Sequence, residues 1–258
     1  MPTVAIDGFH LYYEVHGEGE PLVFAHGVGG NHAHWFNQIA FFEKRFQTIV
    51  FDHRGFGNSR DPGGPGRSRF VEDLGALLDH LGLDRVTLVA QSMGGGTCVG
   101  FTAAYPERVK ALVLADTVIG FTLPEALAAE NQTHRQAGES LSQLERVLSK
   151  QTRDEHRALA LMYLEMTSFN LVNRHTAGGS FGDGMTPNAL AATGIPVLFL
   201  VGSEDVLAPP AIVRQLQALV PGSQYVEIEG PGHSVYFEAP DAFNEAVASF
   251  LLGAAGAA

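Results

Sequence analysis

The stretch Val86-Thr-Leu-Val-Ala-Gln-Ser-Met-Gly-Gly-Gly-Thr-Cys98 sets a serine between an apolar, strand-like run and a set of small residues that open a helix. Ala90 lies two positions before Ser92 and Gly94 two positions after it. The chain can therefore turn sharply enough to present the Ser92 Oγ, where larger neighbours would clash with adjacent backbone. The same turn aims the Met93 N–H and the helix N-terminus at whatever the serine attacks, so charge developing on a carbonyl oxygen would be stabilised there. A serine hydroxyl is a weak nucleophile at neutral pH, so the chemistry needs a histidine base and an acid that orients it. Gly230-Pro-Gly-His233, after the strand-like Tyr225–Ile228, has little structural reason to end in histidine and supplies the candidate base.

Such a turn needs a buried sheet with helices on its faces, and the chain is patterned for one. Leu22–Ala25, Thr48–Phe51, Val86–Ala90, Leu112–Ala115 and Val197–Val201 are continuously apolar, as strands covered on both faces should be. Phe9–His16 alternates and reads as an antiparallel edge strand, and Tyr225–Ile228 as a further strand. Between strands, Phe70, Val71, Leu74, Leu77, Leu78 and Leu81 recur at helical spacing, and Asp241 looks like the cap of a final helix. The alternation predicts an α/β fold with a mainly parallel sheet. From about Val118 to Thr193 no buried strand is legible. Helical patterns at Pro124–Ala137, Leu141–Lys150 and Asp154–Thr167, then a Gly-rich turn at Gly178–Gly184, predict a helical insertion.

Composition narrows the function classes. Among 258 residues, 45% are hydrophobic and 17% charged, enough apolar content for a sizeable core, which excludes disorder as a description of the whole. A net charge of -12, with no run of Lys or Arg, repels phosphate backbones and argues against nucleic acid and anionic membrane as partners. Apolar runs such as Ile195–Val201 fall far short of the roughly 20 residues a spanning helix needs. The first residues show no basic-then-apolar leader, so a soluble, cytoplasmic protein is expected. Cys98 is the single cysteine and has no partner for an internal disulfide. The Gly253–Ala258 tail is the one low-complexity stretch, and oligomeric state is not legible.

Together the motifs resemble the α/β-hydrolase superfamily. Ala90–Gly94 is similar to its nucleophile elbow, with Ala90 replacing the first glycine and Gln91 an uncommon residue between. By that resemblance, Ser203-Glu-Asp-Val-Leu-Ala-Pro209 is the acid loop and gives Asp205 the orienting role, while Glu229–Glu238 is the histidine loop and gives His233 the base role. The other position that relatives use for the acid carries Asp116. Pro21–Gly30 resembles the His-Gly loop, whose N–H after the pair, on Val28, is the second oxyanion donor beside Met93. Asp52–Ser59 resembles the Asp-x-Arg-Gly-x-Gly-x-Ser turn. The resemblance runs from about Phe9 to Leu252. It implies an α/β-hydrolase fold with a mostly parallel eight-stranded sheet flanked by helices, a core of residues 1–117 and 194–258, and a helical cap of residues 118–193.

It also implies hydrolysis of a small carboxylic ester or lactone through an acyl-enzyme, with catalytic Ser92, Asp205 and His233 and no cofactor or metal. Carbon–carbon bond hydrolases and cofactor-free perhydrolases use the same residues, and a small-molecule receptor keeping the fold is the non-enzymatic alternative. Trp35, Phe121, Met162 and Phe169 are candidate substrate-binding residues, with core or lid packing as the alternative for each. In this family His26 is mainly structural. His32 and His34 form a His-x-His pair without the Cys or carboxylate cluster a metal site would add, and fit better at the pocket mouth. Gly27-Val-Gly-Gly followed by Asp52 imitates a dinucleotide fingerprint but fails at the third glycine, where His32 stands. Activity should fall on the acid side, with an inflection near the ordinary histidine pKa of about 6.5.

Overall fold

The computed structural model describes residues 2–255, so the end of the Gly253–Ala258 tail lies outside the described residues. The chain begins with strands β1 (Thr3–Ile6), β2 (Phe9–His16) and β3 (Glu20–Ala25), then helix α1 (Phe36–Phe42), β4 (Phe46–Phe51), α2 (Phe70–His80), β5 (Val86–Gln91), α3 (Met93–Ala104) and β6 (Val109–Ala115). Five helices follow without a strand: α4 (Glu125–Ala137), α5 (Gln143–Val147), α6 (Lys150–Glu155), α7 (Arg157–Thr167) and α8 (Pro187–Ala192). The chain then returns through β7 (Val197–Gly202), α9 (Pro210–Ala218), β8 (Gln224–Ile228), α10 (Val235–Glu238) and α11 (Pro240–Ala255).

The strands form one sheet of eight in the order β1-β2-β4-β3-β5-β6-β7-β8. β1 and β2 pair antiparallel, as do β2 and β4, and every pairing from β4 to β8 is parallel. This is the α/β-hydrolase fold that the motifs implied. β1 was not legible as a strand from apolar patterning. Its signal is Asp7-Gly8, where both residues have positive φ (44° and 89°) in a two-residue hairpin joining Ile6 to its partner Phe9.

Side chains alternate across each strand, so the sheet builds a core on both faces. Val23, Ala25, Ile49 and Leu88 point to one side, against Leu74, Leu77 and Leu78 of α2, Val99 and Phe101 of α3, and Ile212, Val213 and Leu216 of α9. Leu22, Phe24, Val50 and Val89 point to the other, against Trp35, Phe42 of α1, and Phe243, Val247 and Phe250 of α11. Complete burial of one such side chain contributes about 1.5–3 kcal/mol. Asp241 sits in the first turn of α11, which starts at Pro240, and so is not its cap. No helix among the described residues is long and apolar enough to cross a membrane.

The Asp52–Ser59 turn is fastened to α2 by one guanidinium. Arg54 is buried, donating from Nε to Asp73 Oδ2 at 2.9 Å, from Nη2 to Asp73 Oδ1 at 2.5 Å and from Nη1 to Asp61 Oδ2 at 3.0 Å. Its plane lies 3.7 Å from the centre of the Phe9 ring. Removing the Asp73 carboxylate leaves the buried cation with Asp61 alone and takes away its bidentate partner. Asp73→Ala is expected to lower unfolding stability by about 3 kcal/mol or more, read as a fall in the urea midpoint at unchanged slope.

Candidate active site

Ser92 follows β5 directly and has φ +49° and ψ −114°, a conformation that L residues adopt only under constraint. Its N–H donates to the Ala115 carbonyl at 3.1 Å, and its carbonyl accepts from Thr117 Oγ1 at 2.7 Å and from the Gly95 N–H at 2.9 Å. Gly94 is required by the close approach of α3 to β3, since a Cβ there would collide with the Ala25 carbonyl oxygen. Gln91 has a role that sequence reasoning did not assign: its Nε2 donates to the His233 carbonyl at 2.7 Å, holding the histidine loop to the end of β5.

The sheet order brings three distant side chains into one line. His233 Nε2 accepts from Ser92 Oγ at 2.8 Å, and its Nδ1 lies 2.9 and 2.8 Å from the two Asp205 carboxylate oxygens. Asp205 Oδ1 also accepts from the N–H groups of Leu207 and Ala208 at 2.8 and 3.0 Å, which fixes the carboxylate's orientation. All three residues are nearly closed to solvent, at 8%, 3% and 5% exposure for Ser92, Asp205 and His233. Asp116 is equally buried, but its oxygens are occupied by the N–H groups of Gly202 at 3.0 Å and Val235 at 3.1 Å. It braces the ends of β6 and β7 and the histidine loop, while Asp205 holds the ring.

Burial pushes the His233 imidazolium down, but the Asp205 carboxylate, with Asp116 beyond it, outweighs both burial and the opposing Arg146 cation. The ring therefore titrates above its ordinary value. Burial, reinforced by Asp205, pushes the Asp116 carboxyl well above the usual carboxylate range.

The loop after β3 is held from beneath. His26 donates from Nδ1 to the Gly27 carbonyl at 2.8 Å and accepts the His53 N–H on Nε2 at 3.0 Å; burial pushes it down to about 4, so it is neutral and structural. His32 bonds Asp52 through its N–H at 2.6 Å and its Nδ1 at 2.9 Å, whereas His34 is buried on Asn31, and burial pushes it down to about 3. The two rings of the His-x-His pair thus have separate partners. Among the described residues, no group of three or more His, Cys, Asp or Glu is placed to hold a metal ion. Neither the Val28 N–H nor the Met93 N–H has an intramolecular acceptor among the described residues. The Val28 and Met93 side chains share an apolar cluster with Phe56, Phe70, Ala177 and Phe181.

The predicted substrate-binding residues fare unevenly. Trp35 is fully buried in the core, with its ring 4.4 Å from Tyr236 and 5.0 Å from Phe24. Met162 and Phe169 are exposed, Phe169 at 69%, because α7 turns Ala160 and Tyr163 toward the body and its opposite face outward. Phe121 is half-buried against Phe199 and lines a cavity of about 440 Å³ beside α4. A second cavity, of about 460 Å³, lies between α4 and the acid loop; neither is lined by Ser92 or His233. Cys98 is buried in the core.

Sequence reasoning missed the clamps that join the inserted helices to the site. Asn170 donates to the Gly30 carbonyl at 3.0 Å and accepts the Gly57 N–H at 3.0 Å and Asn31 Nδ2 at 3.2 Å, while Thr167 Oγ1 donates to the Gly29 carbonyl at 2.7 Å. Glu238 accepts the Gly232 N–H on one oxygen and the Ser149 N–H on the other, both at 2.8 Å. Ser149, whose side chain caps α6, ends the expected Leu141–Lys150 helix early and splits it into α5 and α6. No periodicity marks a single polar residue in an irregular segment.

A family profile for the alpha/beta hydrolase fold matches residues 20–240. The chain belongs to that family. It is 26% identical to 3-oxoadipate enol-lactonase 2 of Acinetobacter baylyi, with 96% of each chain covered. A thermophilic esterase from Thermogutta terrifontis superposes with a TM-score of 0.79 at 26% identity, covering 98% of this chain and 97% of that one. The enol-lactonase from Burkholderia xenovorans LB400 superposes with a TM-score of 0.80 at 25% identity, covering 97% of this chain and 100% of that one. These relatives are hydrolases, and the chain is an enzyme of that class. Because Asn170 joins the loops of this hydrolase through partly buried bonds, Asn170→Ala is expected to cost about 1–3 kcal/mol. Faster amide exchange at Gly57, measured against wild type, checks it.

Proposed function

We propose that this hydrolase cleaves a small carboxylic ester or lactone by acyl transfer to Ser92. The observation that carries the reading is the 2.8 Å contact between Ser92 Oγ and His233 Nε2, on a ring whose other nitrogen faces Asp205. His233 takes the Ser92 proton as Oγ attacks the acyl carbon, and Asp205 holds the ring in the tautomer with Nδ1 protonated. The N–H groups of Val28 and Met93 receive the oxyanion. His233 then gives the proton to the departing alkoxide. In the second half, water loses a proton to His233 and attacks the acyl-enzyme, Ser92 departs with that proton, and the products are an acid and an alcohol, or one hydroxy or keto acid from a lactone. The similarity to an esterase and to enol-lactonases supports this choice of substrate.

Residues 118–193 act in this reading as a cap over residues 1–117 and 194–258. With Ser92 at 8% exposure, substrate reaches it only when the helical segment shifts, and the bonds of Asn170, Thr167 and Glu238 are the ones that resist.

The wild-type enzyme is expected to turn over p-nitrophenyl butyrate repeatedly and to gain one fluorophosphonate adduct by intact mass. Ser92→Ala should lose the adduct and about 10⁴-fold or more in kcat. An unlabelled wild type would remove Ser92 as nucleophile, and labelling with a single turnover would favour a receptor. Because His233 must be neutral to accept a proton and its pKa is raised, kcat/KM should rise with pH through an inflection above about 6.5. Asp205→Asn should move that inflection downward; a flat profile from pH 5 to 8 would count against His233 as base.

A further inference from the structure

The loop between β3 and α1 carries the Val28 N–H, and its two ends are held by different parts of the chain. The body holds its start. The Gly27 carbonyl accepts His26 Nδ1 at 2.8 Å and the Gly30 N–H at 3.0 Å, and His26 is itself fixed by the His53 N–H. Gly27 also lies against the nucleophile, since a Cβ there would come within 3.0 Å of the Ser92 Cβ. A planar trans peptide points its N–H away from its carbonyl. With the Gly27 carbonyl tied, the Val28 N–H on the same peptide is turned the opposite way. One of the two ties comes from Gly30, so the direction of the Val28 N–H depends on where Gly30 is held.

Gly29 and Gly30 have no side chains to pack, and the end of α7 with the residues just after it does the holding. Thr167 Oγ1 donates to the Gly29 carbonyl at 2.7 Å, Asn170 Nδ2 donates to the Gly30 carbonyl at 3.0 Å, and Asn31 Nδ2 donates to the Met166 carbonyl at 2.8 Å. A threonine in a helix ordinarily bonds the carbonyl four residues back. For Thr167 that is Tyr163, at 2.8 Å, and the Gly29 carbonyl is the nearer acceptor.

Tyr163, which is buried, supports the loop from α7 as well. A Cβ on Gly29 would meet its hydroxyl at 2.8 Å, and its ring stands edge-on to Phe237 of α10, 5.2 Å between centres. One face of α7 thus touches both the Val28 loop and the helix that follows His233.

We propose that Thr167 and Asn170 are positioning residues for the oxyanion hole: by holding the Gly29 and Gly30 carbonyls they keep the Gly30 N–H on the Gly27 carbonyl, and so keep the Val28 N–H facing the oxygen that becomes charged. The inserted segment then shapes the site as well as covering it, and the hole is complete only while α7 is seated. The proposal rests on the acyl-transfer reading above and adds residues to it. An oxyanion donor is effective only within about 2.7–3.1 Å of the charged oxygen, so a small shift of the loop is felt in the rate.

The test is steady-state hydrolysis of p-nitrophenyl butyrate, with active sites counted by fluorophosphonate labelling so that rates refer to folded enzyme. Complete loss of one oxyanion donor costs about 10²–10³-fold in kcat. Thr167→Val keeps the shape and removes the hydroxyl; it should lower kcat per labelled site by about tenfold or more, with KM within about twofold. Inhibition by butylboronic acid, whose tetrahedral adduct with Ser92 places an oxygen in the hole, should weaken by a similar factor. Thr167→Ser should restore kcat. Asn170→Asp, which accepts but cannot donate, should act in the same direction as Thr167→Val. Thr133→Val on α4 removes a hydroxyl that bonds the Ala129 carbonyl of its own helix at 3.0 Å, and should leave kcat unchanged. Amide exchange at Gly30 should quicken in Thr167→Val and stay as in wild type in Thr133→Val. If Thr167→Val does not fold, Asn170→Asp and its exchange at Gly30 decide the matter. An unchanged kcat per labelled site in the position 167 and 170 variants, whether or not KM rises, overturns the proposal and leaves acyl transfer standing, as does an equal fall in Thr133→Val. A wild type that neither turns over nor labels removes the acyl-transfer reading and this proposal with it.

Discussion

The left-handed backbone at Ser92 is the constraint around which the remaining architecture is arranged. Such a conformation in a residue with a side chain costs on the order of 1–3 kcal/mol and survives only where its surroundings fix it. Here the fixing is done by neighbouring strands: β6 accepts the Ser92 N–H, Thr117 beyond β6 holds its carbonyl, and β3 lies so close that position 94 admits only glycine. Because β3, β5, β6, β7 and β8 are adjacent and parallel, their C-terminal ends form one rim. The Val28 loop, Ser92, Asp116, Asp205 and His233 each follow a strand on that rim, so side chains 28 to 141 positions apart are brought within bonding distance. Open parallel sheets bind ligands at this edge for the same reason.

Buried carboxylates organise the rim. Asp52 joins the loop after β3 to the turn after β4, Asp116 joins β7 to the histidine loop, and Glu238 joins that loop to the inserted helices. In each case an acid accepts backbone N–H groups that irregular loops would otherwise leave unsatisfied, which is how a loop is buried at low cost. Asp205 makes two such bonds and keeps both oxygens within reach of His233. The acidic balance of the chain therefore reflects internal bracing as well as surface charge. A net charge of -12 leaves most of the surface repulsive to anions.

The sequence by itself determined the elements and the chemistry that follows the chain locally. Continuous apolar runs marked the parallel strands because burial on both faces leaves no room for polar residues, and Ala90, Ser92 and Gly94 marked the sharp turn because only small neighbours fit it. The acid and the histidine were found by the order of motifs, since nothing local separates Asp205 from Asp116. Only the tertiary structure separated those two, by giving the Asp116 oxygens to backbone N–H groups and the Asp205 oxygens to His233. It also placed Trp35 in the core, turned Met162 and Phe169 outward, and brought Asn170 onto the loops after β3 and β4. Those outcomes depend on which face of an irregular, inserted segment meets the body. Periodicity records only that a helix has two faces, and the contacts that choose between them come from residues distant in sequence.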